Sequence, residues 1–211
     1  MTLAARGALA AVLLAPLATH TFSAPAPAAA ATAATAAGAA TATVTHYVLD
    51  GAKSTLEFNF SQAGAQNKGH FRRFTTVLDF AADNLSASHL EVTVDMSSVD
   101  TGDQERDDTL RDADLFGVKK FAQARFTAAQ LVRTANGYEA VGRLTIRDST
   151  RDLRVPFTLR IATEQGASVA YMSGKTSLRR LDFGVGQGDW KATDQVGNDV
   201  AVAFALRLTA R

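Results

Sequence analysis

The densest run of groups able to move protons lies between Asp103 and Asp114, where Asp103, Glu105, Arg106, Asp107, Asp108, Arg111, Asp112 and Asp114 crowd together. Carboxylates beside arginines suit acid–base work. No nucleophile–base pair accompanies them, however, and such a run reads first as the wet face of a short helix. The histidines, His20, His46, His70 and His89, are scattered without the spacing of a zinc or iron site. Gly184-Val185-Gly186-Gln187-Gly188 is glycine-rich but lacks the dinucleotide-binding spacing and a following helix, so it reads as a flexible loop between strands. There is no Gly-x-Ser-x-Gly elbow. The absence of cysteine excludes disulfides, thiolate metal sites, a thiol nucleophile and a lipobox. A formal charge of +1 gives no electrostatic reason to expect nucleic acid as a partner. The chemistry left to consider is the burial of something apolar, with no catalytic residue, metal or cofactor.

The elements that would do this are strands. From Asp152 to Ile161, Leu153, Val155, Phe157, Leu159 and Ile161 alternate with polar or charged residues. Successive strand side chains point to opposite faces, so one face meets an apolar interior and the other meets water. Tyr138 to Ile146 alternates likewise, with Asp148–Arg151 as the hairpin connection, and Asn136-Gly137 marks a turn. The same period runs through Leu56-Phe58-Phe60, Leu90-Val92-Val94-Met96, Arg125–Arg133, Ser168–Leu178 and Val200-Val202-Phe204-Leu206-Leu208. Gly64 and Gly69 bracket a polar stretch, and the Phe71–Phe74 spacing breaks the alternation, which calls for a bulge or bend. One short helix is expected over roughly 102–112, opened by a capping box of Thr101 and Gln104. Hairpin-linked strands without a βαβ rhythm, roughly eight or nine of them, favour an all-β, up-and-down antiparallel barrel, which leaves no open edge.

Phe58, Phe60, Phe71, Phe74, Phe80, Phe116, Phe126, Phe157, Phe183 and Phe204 then crowd the interior, with Leu144 among them. An eight-stranded barrel is just wide enough either to be filled by its side chains or to hold one small ligand. Alternation alone leaves both readings open: a filled-core interaction protein, or a carrier of an apolar molecule. An enzyme acting on a bound lipid through Arg106, Asp107 and Asp108 is a third, without a nucleophile to support it.

Ahead of the barrel, residues 1–24 read as an export signal: Arg6, then the apolar run Ala8–Leu17, then Ala-x-Ala cleavage options between Ala24 and Ala30. The run is shorter than the ~20 residues that span a bilayer, so no stable membrane anchor is expected after cleavage. Residues 25–43 are rich in Ala, Thr and Pro and read as a disordered tether. The barrel domain is expected over 46–211, exported behind this signal.

A set of landmarks in order resembles the YceI-like family, a lipocalin-like group. These are Tyr47-x-Leu49-Asp50 with Ser54 and Phe58; Gly69-x-Phe71-x-x-Phe74; and Ser98-Val99-x-Thr101 with Arg106-Asp107-x-x-Leu110. They continue through Asp114-x-Phe116-x-Val118 and Phe126; Gly142-x-Leu144-Thr145-Ile146-Arg147; Arg180-x-Asp182-Phe183-Gly184; and Gly197-x-Asp199-Val200. The resemblance implies an extended lipocalin-like barrel with a helix at one end. It also implies export to the periplasm and a non-catalytic apolar tunnel for a polyisoprenoid, an isoprenoid-quinone-like lipid or another amphiphile, fatty acids and amides included. On this reading Phe58, Phe60, Phe71, Phe74, Phe116, Phe126, Leu144, Phe157 and Phe183 line the tunnel. Gln62, Arg106 and Arg180 are the candidates for a polar head, unless the two arginines pair with Asp107 and Asp182 instead. Trp190 reads as a core or rim residue, and a homodimer stays open. Gln62 stands where the family usually has histidine, Ala122 where it has proline and Asp148 where it has glycine.

Overall fold

The computed structural model describes residues 43–211; the expected signal and nearly all of the expected tether lie outside the described residues. The described residues form eleven strands and one α-helix in chain order. They are β1 (Thr45–Leu49), β2 (Thr55–Gln62), β3 (Ala65–Phe71), β4 (Phe74–Phe80), β5 (His89–Asp95), β6 (Val99–Asp100), α1 (Gln104–Arg111), β7 (Gln123–Thr134), β8 (Gly137–Ile146), β9 (Ser149–Glu164), β10 (Ala167–Arg179) and β11 (Asp199–Ala210). All pairings are antiparallel. β1/β2, β3/β4 and β5/β6 are three long strands each broken once, since β1 pairs β4 as β2 pairs β3, and β4 pairs β5 as β3 pairs β6. Counted this way the sheet has eight members in sequence order. β11 closes it by pairing with both β1 and β2. The expected closed eight-stranded barrel with one short helix is the fold.

The three breaks fall side by side and crease the wall. At the first, Asp50 N–H donates to the Arg207 carbonyl (2.8 Å), the Ser54 hydroxyl donates to the Asp50 carbonyl (2.7 Å), and the Arg207 guanidinium donates to Asp50 (2.7 Å) and Glu164 (2.9 Å). Arg207 and Tyr171 both donate to Glu164, which holds that carboxyl below its usual range. The break at Arg72-Arg73 is the bend expected between Phe71 and Phe74. It meets the third break through the Ser98 hydroxyl, which accepts from Arg73 N–H (3.0 Å) and donates to the Asp95 carbonyl (2.6 Å).

The polar stretch between Gly64 and Gly69 is strand, β3, because β2 pairs with it from Gln62↔Ala65 to Glu57↔His70. Three local expectations are corrected. The β8–β9 turn is Arg147-Asp148, with Arg147 at φ +57, so β9 already includes Ser149. α1 is capped by Asp103, whose carboxylate accepts from Arg106 N–H at 3.1 Å. Thr101 donates its hydroxyl to Asp107 (2.7 Å) instead of opening the helix. Ile161 follows the inward period of β9 but is 45% exposed, because β9 outruns the packed interior there.

The interior divides in two. In the half built by β1, the end of β4 and the start of β5, Tyr47, Leu78 and Leu90 are 2% exposed or less and sit at successive paired positions, continuing to Ala128. Ala128, Ala140 and Ala170 are fully buried opposite such bulk, and this alternation of small and large fills a narrow barrel. Phe80 packs edge-on against Tyr138, which stacks on Phe157. The other half, beyond the crease, is not filled.

Candidate functional site

Beyond the plug the barrel encloses a cavity of about 240 Å³. Its wall runs from Leu56 to Gln62 on β2 and from Val200 to Leu206 on β11, about 20 Å of strand at ~3.3 Å per residue. Phe58, Phe60, Phe71, Phe74, Phe116, Phe126, Leu144 and Phe183 line it; Phe157 does not, because it is spent in the Tyr138 stack of the plug. Leu110, Met172, Val196 and Leu206 line it as well, beyond the residues expected from the sequence.

Large side chains leave this half vacant because of where their rings lie. Phe58 pairs with Gly69 and Phe204 with Gly174 across neighbouring strands. A Cβ on Gly69 would stand 2.5 Å from the Phe58 ring, and one on Gly174 would stand 2.6 Å from the Phe204 ring. The two rings therefore fold over bare backbone along the wall, the arrangement that protects glycine in a sheet, and the axis stays clear. Phe60, Phe58, Phe71 and Phe116 follow one another at centroid distances of 5.8, 5.3 and 6.1 Å along the same end.

Two caps flank the outer end. The first is α1 and its following turn. Asp107, 8% exposed, accepts from the N–H and hydroxyl of Thr101 (2.8 and 2.7 Å), and Arg111 donates to the carbonyls of Ser97 and Val99 (3.0 and 2.9 Å). These bonds set Leu110 and Phe116 into the cavity wall. The second cap is residues 180–198. Arg180, 6% exposed, donates to the carbonyls of Gly197 (3.0 Å), Val185 (2.9 Å), Ala192 (3.2 Å) and Val196 (2.7 Å). Burial draws its pKa below the ordinary arginine value. Gly186 lies so close to the guanidinium that a Cβ would collide with it. The caps are tied together where Gly186 and Gln187 donate N–H to the Asp114 carbonyl (2.9 and 2.8 Å), and Arg147 in the β8–β9 turn fixes the first cap to the barrel by donating to the carbonyls of Ala113 and Leu115. The glycine run is thus a braced cap, and not the flexible loop expected. Trp190 reaches the cavity from it as a half-buried rim residue.

The pairings expected for the two arginines are not those found. Asp182 pairs with Arg179 (3.2 Å), leaving Arg180 to main-chain oxygens alone. Arg106 lies near Asp103 (3.7 Å), outside the cavity, and Asp107 turns to Thr101. Gln62 does reach the cavity rim, beside Val196, with which it forms an isolated bridge. Gln62, Phe71, Thr109, Val196 and Val200 ring this end and are half-buried. Among the described residues no group of His, Asp or Glu stands at metal-ligand spacing. The walls offer a long apolar chain dispersion contact and exclusion of water.

The YceI-like domain model matches residues 47–208. A UPF0312 protein of Vibrio cholerae serotype O1 is 31% identical over 145 residues, 66% of this chain and 77% of that protein. Among solved structures, Burkholderia cenocepacia BcnA superposes with a TM-score of 0.69 at 28% identity, covering 75% of this chain and 98% of BcnA. A domain from Saccharophagus degradans, described as polyisoprenoid-binding and implicated in plant cell wall breakdown, superposes with a TM-score of 0.59 at 16% identity. That match covers 80% of this chain and all of the domain, and it speaks to fold.

Proposed function

The chain belongs to the YceI-like family, and on that premise we propose that it is a non-catalytic carrier of a long apolar amphiphile, a polyisoprenoid or isoprenoid-quinone-like lipid, held in the vacant half of its barrel. The observation that carries this reading is the apolar cavity of about 240 Å³ beneath two braced caps. Each methylene transferred from water into such a wall gains about 0.8 kcal/mol, so ten buried carbons gain about 8 kcal/mol before the chain's ordering is offset. That is enough to carry a molecule that water rejects, with no covalent step. The polyisoprenoid-binding neighbour supports the same ligand class here. The amino-terminal export pattern supports the periplasm as the aqueous compartment to be crossed.

Organic extraction of the exported protein, purified without detergent and followed by mass spectrometry, tests this directly. About one isoprenoid lipid per barrel is expected. A fatty acid or amide in its place would keep the carrier and correct the ligand class. Protein that emerges empty and takes up no prenyl lipid when offered it would contradict the proposal.

A further inference from the structure

Among the described residues, Thr76 is the one fully buried polar side chain of the cavity wall without a hydrogen-bond partner. It lies on β4 between Phe74 and Leu78, in the inward period, and is 1% exposed. Its hydroxyl is the one buried side-chain oxygen or nitrogen that makes no hydrogen bond among the described residues. It pairs with Val92 across β5, and one step further inward comes the Leu78–Leu90 pair of the plug. Thr76 therefore marks the floor of the cavity, whereas Gln62 and Thr109 mark its rim.

An unanswered hydroxyl in an apolar wall is unfavourable by about 1–3 kcal/mol, and valine would fill the same volume without that penalty. The other polar residues of the wall are otherwise accounted for. Arg125 donates outward to Glu91 (2.6 Å), the Thr109 hydroxyl donates to the Glu105 carbonyl (2.8 Å), Arg180 is bound to carbonyls, and Gln62 and Thr176 are half-buried. Among the described residues, only at Thr76 is an inward hydroxyl both sealed from solvent and unmatched.

We propose that Thr76 is a specificity residue which hydrogen-bonds an oxygen at the leading end of the carried lipid, so that the ligand enters polar end first: an alcohol, phenol or carbonyl lies on the floor and the hydrocarbon chain runs outward between the phenylalanines. A threonine hydroxyl both donates and accepts, so the chemistry selected is an uncharged oxygen. A charged phosphate or carboxylate does not suit a floor that offers one hydroxyl and no cation. The inference rests on the carrier reading above and adds the orientation and the leading group.

The test compares geranylgeraniol with the hydrocarbon that lacks its hydroxyl, titrated into the full mature protein and into Thr76→Val, Thr76→Ser and Gln62→Ala. Wild type is expected to bind the alcohol more tightly than the hydrocarbon. Thr76→Val should lose about tenfold for the alcohol and nothing for the hydrocarbon, as the loss of one buried hydrogen bond implies. Thr76→Ser should keep the preference. Thr76→Val should also melt no lower than wild type without lipid, which separates lost recognition from lost fold. If Gln62→Ala weakens the alcohol and Thr76→Val does not, the hydroxyl sits at the rim and the inference is overturned. Equal binding of alcohol and hydrocarbon by wild type overturns it too and leaves the carrier reading standing. No binding of either ligand by wild type overturns both.

Discussion

Among the described residues, Arg180 is a buried charge that meets no counter-ion. Its guanidinium is spread over four carbonyls drawn from positions 185 to 197, a division of labour that a fork of five donors permits and a single ammonium does not. It is therefore the pin of the second cap, and its acceptors leave little of it for a ligand head. Arg180→Met should lower stability by about 3 kcal/mol, because the carbonyls lose their donor while staying buried. Arg180→Lys should recover little of that loss. Urea unfolding of the two variants checks this, and a loss below about 1 kcal/mol in Arg180→Met would contradict the pin. Nothing in the sequence around Arg180 gave its partners, since main-chain oxygens have no residue signature and the acceptors sit up to seventeen positions away. The neighbouring Arg179–Asp182 pair is what the local spacing hints at, and there it goes to the wrong arginine.

At the scale of elements, strand periodicity was the most legible feature. β9 and β11 alternate for most of their length, and the bend between Phe71 and Phe74 showed as a broken period. The helix was legible as well, but its start was misplaced by two residues: Thr101 and Asp103 are both good caps, and only the tertiary bond from Thr101 to Asp107 decides between them. That bond carries the element's main prediction. Asp107→Ala should cost about 1–3 kcal/mol by stranding the Thr101 N–H, and more than Asp103→Ala, whose loss is that of a helix cap, about 1 kcal/mol. Thermal unfolding of the two variants side by side checks the order. The reverse order would mean that α1 is held by its own cap and not by its docking.

For the whole molecule, the decisive property is that one half of the barrel is solid and the other vacant. Alternation cannot report this, because an inward residue looks the same in either half; Phe157 and Phe58 obey one pattern and end in different places. The signal lies in which residue faces which across strands. Ala128 opposite Leu90, Ala140 opposite Leu131 and Val155, and Ala170 opposite Leu208 close the lower half, while glycines under Phe58 and Phe204 draw those rings to the wall above. Such pairing depends on register, which a single sequence leaves open. The central claim is that the upper half stays clear for a guest. Val202 lines it, half-buried, on β11. The most direct measurement is the titration of a prenyl lipid into wild type and Val202→Trp, with folding verified by denaturant unfolding. Wild type should saturate near one lipid per barrel, while Val202→Trp should stay within about 1 kcal/mol of wild-type stability and lose uptake, the added ring having taken the guest's place. A Val202→Trp protein destabilised by the ~1–3 kcal/mol of an overpacked core, alongside a wild type that takes up no lipid, would contradict it.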